Sequence, residues 1–66
     1  MTLTVQQAET LLRVAKRAEE RASELFALTG GEAHLLARED ATSGRIIATA
    51  LLAQAREEQK DAPHEG

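Results

Sequence analysis

Three arginines, Arg13, Arg17 and Arg21, recur at every fourth residue with Lys16 beside them, and they form the one basic stripe of the chain. Guanidinium groups four residues apart share a helix face, so a phosphate backbone could run along them. The same residues have acids at helical spacing, however: Glu9 with Arg13, Lys16 with Glu20, and Arg21 with Glu24. Such pairs neutralise a solvated face and contribute only about 0.2–0.5 kcal/mol each. The chain also lacks Trp and Tyr, on which a base could stack. A paired, solvated face is the favoured reading of the stripe, and a weak nucleic-acid surface is its alternative.

The remaining candidates for chemistry are two histidines. Asp61 and His64 have the separation at which two ligands on a helix share a metal, but Pro63 lies between them and ends any helix there. His34 stands at the start of a predicted helix, with Glu32 and Arg38 in reach. No Ser, His and Asp set, no glycine loop to cradle phosphate and no cluster of carboxylates with a base can be assembled. The expectation is a protein without catalytic, cofactor-binding or metal-binding residues, and so not an enzyme.

Such a chain must work through its surface, and its size limits what can support that surface. Sixty-six residues make one domain, 1–66, and bury a small share of their area. Cysteine is absent, which excludes a disulfide or a cysteine-held zinc and leaves association as the remaining source of stability. The apolar content is 42%, but 13 of those residues are Ala and the only aromatic is Phe26, so large side chains for a core are few. The net charge is −3, with the acidic excess after residue 31, which argues against nucleic acid there. No apolar run reaches the roughly 20 residues of a membrane span, and the start of the chain lacks the features of a signal peptide. A cytoplasmic location is expected.

Two helices emerge from local signals. Thr4-Val5-Gln6-Gln7 fits a capping box, which starts helix 1 at about residue 5. The helix runs to about residue 28, where Gly30-Gly31 permits the positive φ of a tight reversal within a turn over 29–32. Thr29-Gly30-Gly31-Glu32 can cap helix 2, which covers about 32–60 and leaves a disordered tail over 61–66. Residues 40–44, Asp-Ala-Thr-Ser-Gly, could break helix 2.

Periodicity favours a continuous helix 2. Ala8, Ala15 and Ala22 repeat at seven residues, as do Ala41, Ala48, Ala55 and Ala62. Filled in at spacings of three and four, the seam reads Ala8, Leu11, Ala15, Ala18, Ala22 and Leu25 in helix 1, and Ala37, Ala41, Gly44, Ala48, Leu51 and Ala55 in helix 2. Folded antiparallel, these match as Leu25 with Ala37, Ala22 with Ala41, Ala18 with Gly44, Ala15 with Ala48, Leu11 with Leu51 and Ala8 with Ala55. Every pair is centred within half a residue of Gly31, where the glycines independently place the turn. Gly44 is then a packing glycine opposite Ala18.

An alanine seam buries little volume, and helix 2 carries further apolar groups off the seam. Ile47 flanks it, while Leu35, Ile46, Ala50 and Ala53 lie towards its back, with an uncharged run over 46–53. These residues are the expected oligomer or partner interface. The fold class is therefore an all-α antiparallel hairpin with an Ala-rich, close-packed seam, dimerising into a four-helix bundle. The function expected is a small non-catalytic interaction or regulatory module, of the kind common among phage accessory proteins and bacterial regulators. It self-associates as a homodimer and binds a protein partner. The alternatives are a nucleic-acid-associated protein using the arginine stripe and a structural subunit of a larger assembly.

Overall fold

The computed structural model describes residues 3–61, and among them every regular element is helical. Helix α1 spans Val5–Thr29, helix α2 spans Glu32–Asp61, and the two pack against each other as an antiparallel hairpin. Residue 61, the first of the expected tail over 61–66, belongs to α2, and residues 62–66, with the Asp61–His64 pairing, lie outside the described residues.

Local chemistry sets each boundary. The Thr4 hydroxyl accepts from the Gln7 amide at 3.0 Å while the Thr4 amide donates to the Gln7 side chain at 3.0 Å, a reciprocal capping box that satisfies two otherwise orphaned donors. At the other end Gly30 has φ 65° and ψ −157°, and its amide donates to the Phe26 carbonyl at 2.7 Å. Gly31 follows at φ 94°. Both conformations penalise any residue with a Cβ. The Gly31 carbonyl accepts the first bond of α2, from Leu35 at 3.0 Å. Thr29 does not cap α2: its hydroxyl donates back to the Leu25 carbonyl at 2.8 Å, inside its own helix.

Helix α2 continues without interruption through residues 40–44. The residues that could have broken it are absorbed differently. The Thr42 hydroxyl bonds across to α1, and Gly44 stands on an exposed surface where an added Cβ would meet no atom within 4 Å. Gly44 is thus not a packing glycine opposite Ala18, and Ala18 is itself exposed.

The contact between the helices uses the alanine repeats but a different companion column. Ala8, Ala48 and Ala55 are buried, together with Leu52, and Leu3, Val5 and Leu12 pack around the end of the hairpin far from the turn. Ala15, Ala22, Ala41 and Leu51 are half-buried. Where the sequence pattern placed Leu11, Ala18 and Leu25, α1 instead turns Leu12, Glu19 and Phe26 inward. In α2 Arg38, Arg45 and Leu52 take the places expected of Ala37, Gly44 and Leu51. Each helix is rotated from the expected seam by one residue in the same sense, so the antiparallel register survives while the facing column changes. Charge explains the choice. Glu19 Oε1 lies 2.7 Å from Arg45 Nε, Thr42 donates to Glu19 Oε2 at 2.7 Å, and the Arg38 guanidinium sits 5.0 Å from the Phe26 ring centroid. A column that carries charge is acceptable inside a helix contact when every charge meets a partner across it.

Candidate interaction surface

The rotation leaves the two sides of the hairpin chemically unlike. One side is polar. Glu19, Ser23, Arg38 and Thr42 line it towards the turn, and Glu9, Lys16, Glu20 and Arg56 continue it over Leu12 and Leu52. Arg56 reaches Glu9 at 3.4 Å, the second ion pair between the helices. The Glu19 carboxyl is held below its ordinary range, first by the Thr42 hydroxyl bond and then by the charge and hydrogen bond of Arg45, against partial desolvation that pushes it up.

The other side is apolar. It begins in a groove of about 400 Å³ between the helices, where Val14, Ala18 and Leu25 face Ala37, with Arg17, Arg21 and His34 at its borders. Helical spacing extends it: Leu11 and Leu28 continue the α1 edge, and Leu36, Gly44, Ile47 and Leu51 continue the α2 edge. Seven large aliphatic side chains among the described residues are at least 40% exposed, and six of them belong to this side: Leu11, Val14, Leu25, Leu28, Leu36 and Ile47. The seventh is Ile46, which follows Thr42 by one helical turn and so falls towards the polar side.

The residues expected from sequence are therefore redistributed. Leu11, Ala18, Leu25, Ala37 and Gly44, assigned to the seam, are exposed along the apolar side, and Leu51 is half-buried at its edge. Of the interface set, Ile47 belongs to the apolar side. Ile46, Ala50 and Ala53 are exposed elsewhere on α2, and Leu35 is half-buried near Arg38. Phe26, Leu12, Leu52 and the Glu19–Arg45–Thr42 cluster were not anticipated in the helix contact. The signal for the cluster was present: Glu19 with Arg45, and Glu9 with Arg56, are opposite charges at nearly equal distances from the turn.

The arginine stripe is exposed and lacks the acid partners read from its spacing. Arg13 donates to the Thr10 hydroxyl at 3.4 Å, and none of Arg13, Arg17 and Arg21 has a carboxylate within 4 Å among the described residues. Glu9, expected to pair with Arg13, pairs with Arg56 instead. His34 is half-buried and makes no ion pair with Glu32, and Arg38 turns to Phe26. Among the described residues no three His, Cys, Asp or Glu side chains gather as a metal site, and no helix is long and apolar enough to cross a membrane. No family model, curated protein or solved structure matches this chain.

Proposed function

We propose that this chain is a non-catalytic protein-interaction module that self-associates into a four-helix bundle and acts by occupying the surface of a partner protein. The observation that carries this reading is the segregation, by helical spacing, of six exposed aliphatic side chains onto one side of a hairpin whose buried residues, among those described, are three alanines and one leucine. Contiguous apolar surface of this kind marks an interaction site. The energetics point the same way. Burying a large aliphatic side chain contributes about 1.5–3 kcal/mol, while ordering the backbone costs about 1–2 kcal/mol per residue, so a core with one buried leucine leaves the hairpin short of stability on its own. Covering the apolar side supplies what the interior lacks.

Sedimentation equilibrium and far-UV circular dichroism over about 1–100 µM test this reading, because stability gained from association depends on concentration. The expected result is a mass of at least twice 7.1 kDa, with helicity that declines on dilution. A fully helical monomer throughout that range removes self-association from the proposal. Particles much larger than a dimer would favour the assembly-subunit reading.

The nucleic-acid reading retains one supporting observation: among the described residues, no carboxylate lies within 4 Å of Arg13, Arg17 or Arg21. It requires retention on heparin or duplex DNA that falls steeply as salt rises, and loss of that retention when all three are changed to Gln.

A further inference from the structure

Along its facing column each edge of the apolar side carries one charge, and the charges are opposite; Arg17, which also borders the groove, lies off the α1 column. At alternating spacings of three and four, the α1 edge reads Leu11, Val14, Ala18, Arg21, Leu25. At the same spacings in reverse, the α2 edge reads Leu51, Ile47, Gly44, Asp40, Ala37. Within one chain these edges lie side by side: Ala18, Ala37 and Gly44 are exposed, and Arg21 and Asp40 form no ion pair among the described residues.

They match across a two-fold axis that runs along the hairpin. Such an axis lays α1 of one copy antiparallel on α2 of the other at equal distance from the turn. Leu11 then meets Leu51 of the second copy, Val14 meets Ile47, Ala18 meets Gly44, Leu25 meets Ala37, and Arg21 meets Asp40, each contact occurring twice. The other closed arrangement, with the axis crossing the hairpin, lays like helices on each other. Arg21 would then fall over the second copy's Val14 and Asp40 over its Ile47, so that both charges are desolvated against aliphatic groups with no partner. Charge complementarity selects the first arrangement. The apolar side runs from Leu11 to Leu28, about 26 Å, and at two helices wide it offers on the order of 500 Å² per copy, the low end of the range for a specific complex.

We infer that a second copy of this chain docks on the apolar side, α1 against α2, with reciprocal Arg21–Asp40 pairs fixing the alignment. This rests on the self-association proposed above and assigns it a face and a direction. It also moves the dimer contact away from Ile46, which stays on the outside of the bundle.

The test uses the full chain and its dimer dissociation constant. Ile47→Glu should weaken the dimer at least about a hundredfold, whereas Ile46→Glu should leave it within about threefold. Arg21→Glu and Asp40→Arg should each weaken it about tenfold or more, and the two together should recover most of that loss. Because the chain has no cysteine of its own, a mixture of Ala18→Cys and Gly44→Cys proteins should oxidise mainly to the mixed dimer, a readout that does not depend on Ile47→Glu folding. Loss of the dimer in Ile46→Glu with retention in Ile47→Glu overturns the assigned face. Failure of the double charge exchange to recover affinity, or cross-linking only within each single-cysteine protein, overturns the alignment while self-association stands. A monomeric, fully helical wild type overturns both.

Discussion

Arg45 and Glu19 meet across the helix pair at 2.7 Å, with Thr42 donating to the other oxygen of the same carboxylate at 2.7 Å. This cluster sits midway along a contact otherwise made largely of alanine, and it decides which side of the alanine column α1 turns towards α2. Its protonation is accordingly linked to stability. The Glu19 carboxyl titrates below its ordinary value of 4.5 in the folded state. A depressed value means that the folded state favours the ionised form, so the contribution is complete above 4.5 and is lost as pH falls through the lower folded-state value. Melting temperatures of wild type and Glu19→Gln should differ by a constant amount above about pH 5.5 and converge on acidification below 4.5. A gap that stays constant down to pH 3 would show that Glu19 is not the group responsible.

Among the described residues Leu52 is the one large side chain in the buried set, 7% exposed, clustered with Ala8 and Ala55. Leu52→Ala should cost about 2–4 kcal/mol in urea denaturation, the range for a leucine removed from a packed site. Ile46→Ala, at a position 55% exposed and outside the proposed contact, should cost less than about 1 kcal/mol.

How much of this arrangement is legible in the sequence depends on which physical effect sets it. The ends of α1 are local: Thr4 and Gln7 cap each other, and Gly30 and Gly31 take backbone conformations that other residues avoid, so reading four or five residues suffices. The antiparallel register is legible too, because seven-residue repeats on either side of a tight turn match in only one way. The rotation of each helix about its own axis is not. Ala8, Ala15 and Ala22 have two possible companion columns, Leu11–Ala18–Leu25 and Leu12–Glu19–Phe26. Reading charge as a sign of solvent selects the first. The structure packs the second, because the Glu19 charge is met by Arg45 and Thr42 from the other helix, and no single-helix pattern contains that information.

The glycines should separate into two kinds. Gly30→Ala forces a Cβ into a backbone region that is nearly exclusive to glycine and should cost about 1–3 kcal/mol. Gly44 has ordinary helical geometry and open space around it within the chain, so Gly44→Ala should raise helix stability by about 0.5–1 kcal/mol. Chemical denaturation of the two variants beside wild type checks the contrast, and a destabilising Gly44→Ala would mean that the added methyl group is not tolerated against the second copy's Ala18.

The cap at Thr4 gives a smaller and more local effect. Thr4→Ala removes the acceptor for the Gln7 amide and should cost about 1 kcal/mol, with Gln7→Ala costing less because its own loss exposes only the Thr4 amide. Hydrogen exchange should show the change confined to the first turn of α1, since α1 continues for 25 residues beyond the cap.

The seven-residue recurrence of alanine has a consequence for the uniqueness of the fold. A surface that repeats itself is indifferent to sliding: displaced by one repeat, about 10.5 Å along the axis, alanine would again meet alanine. Inside one chain the two-residue reversal at Gly30-Gly31 forbids that displacement, because it leaves no slack to feed into a shifted pairing. The glycines thus do more than reverse the direction of the chain. They act as the fixed zero of a scale whose graduations are otherwise identical.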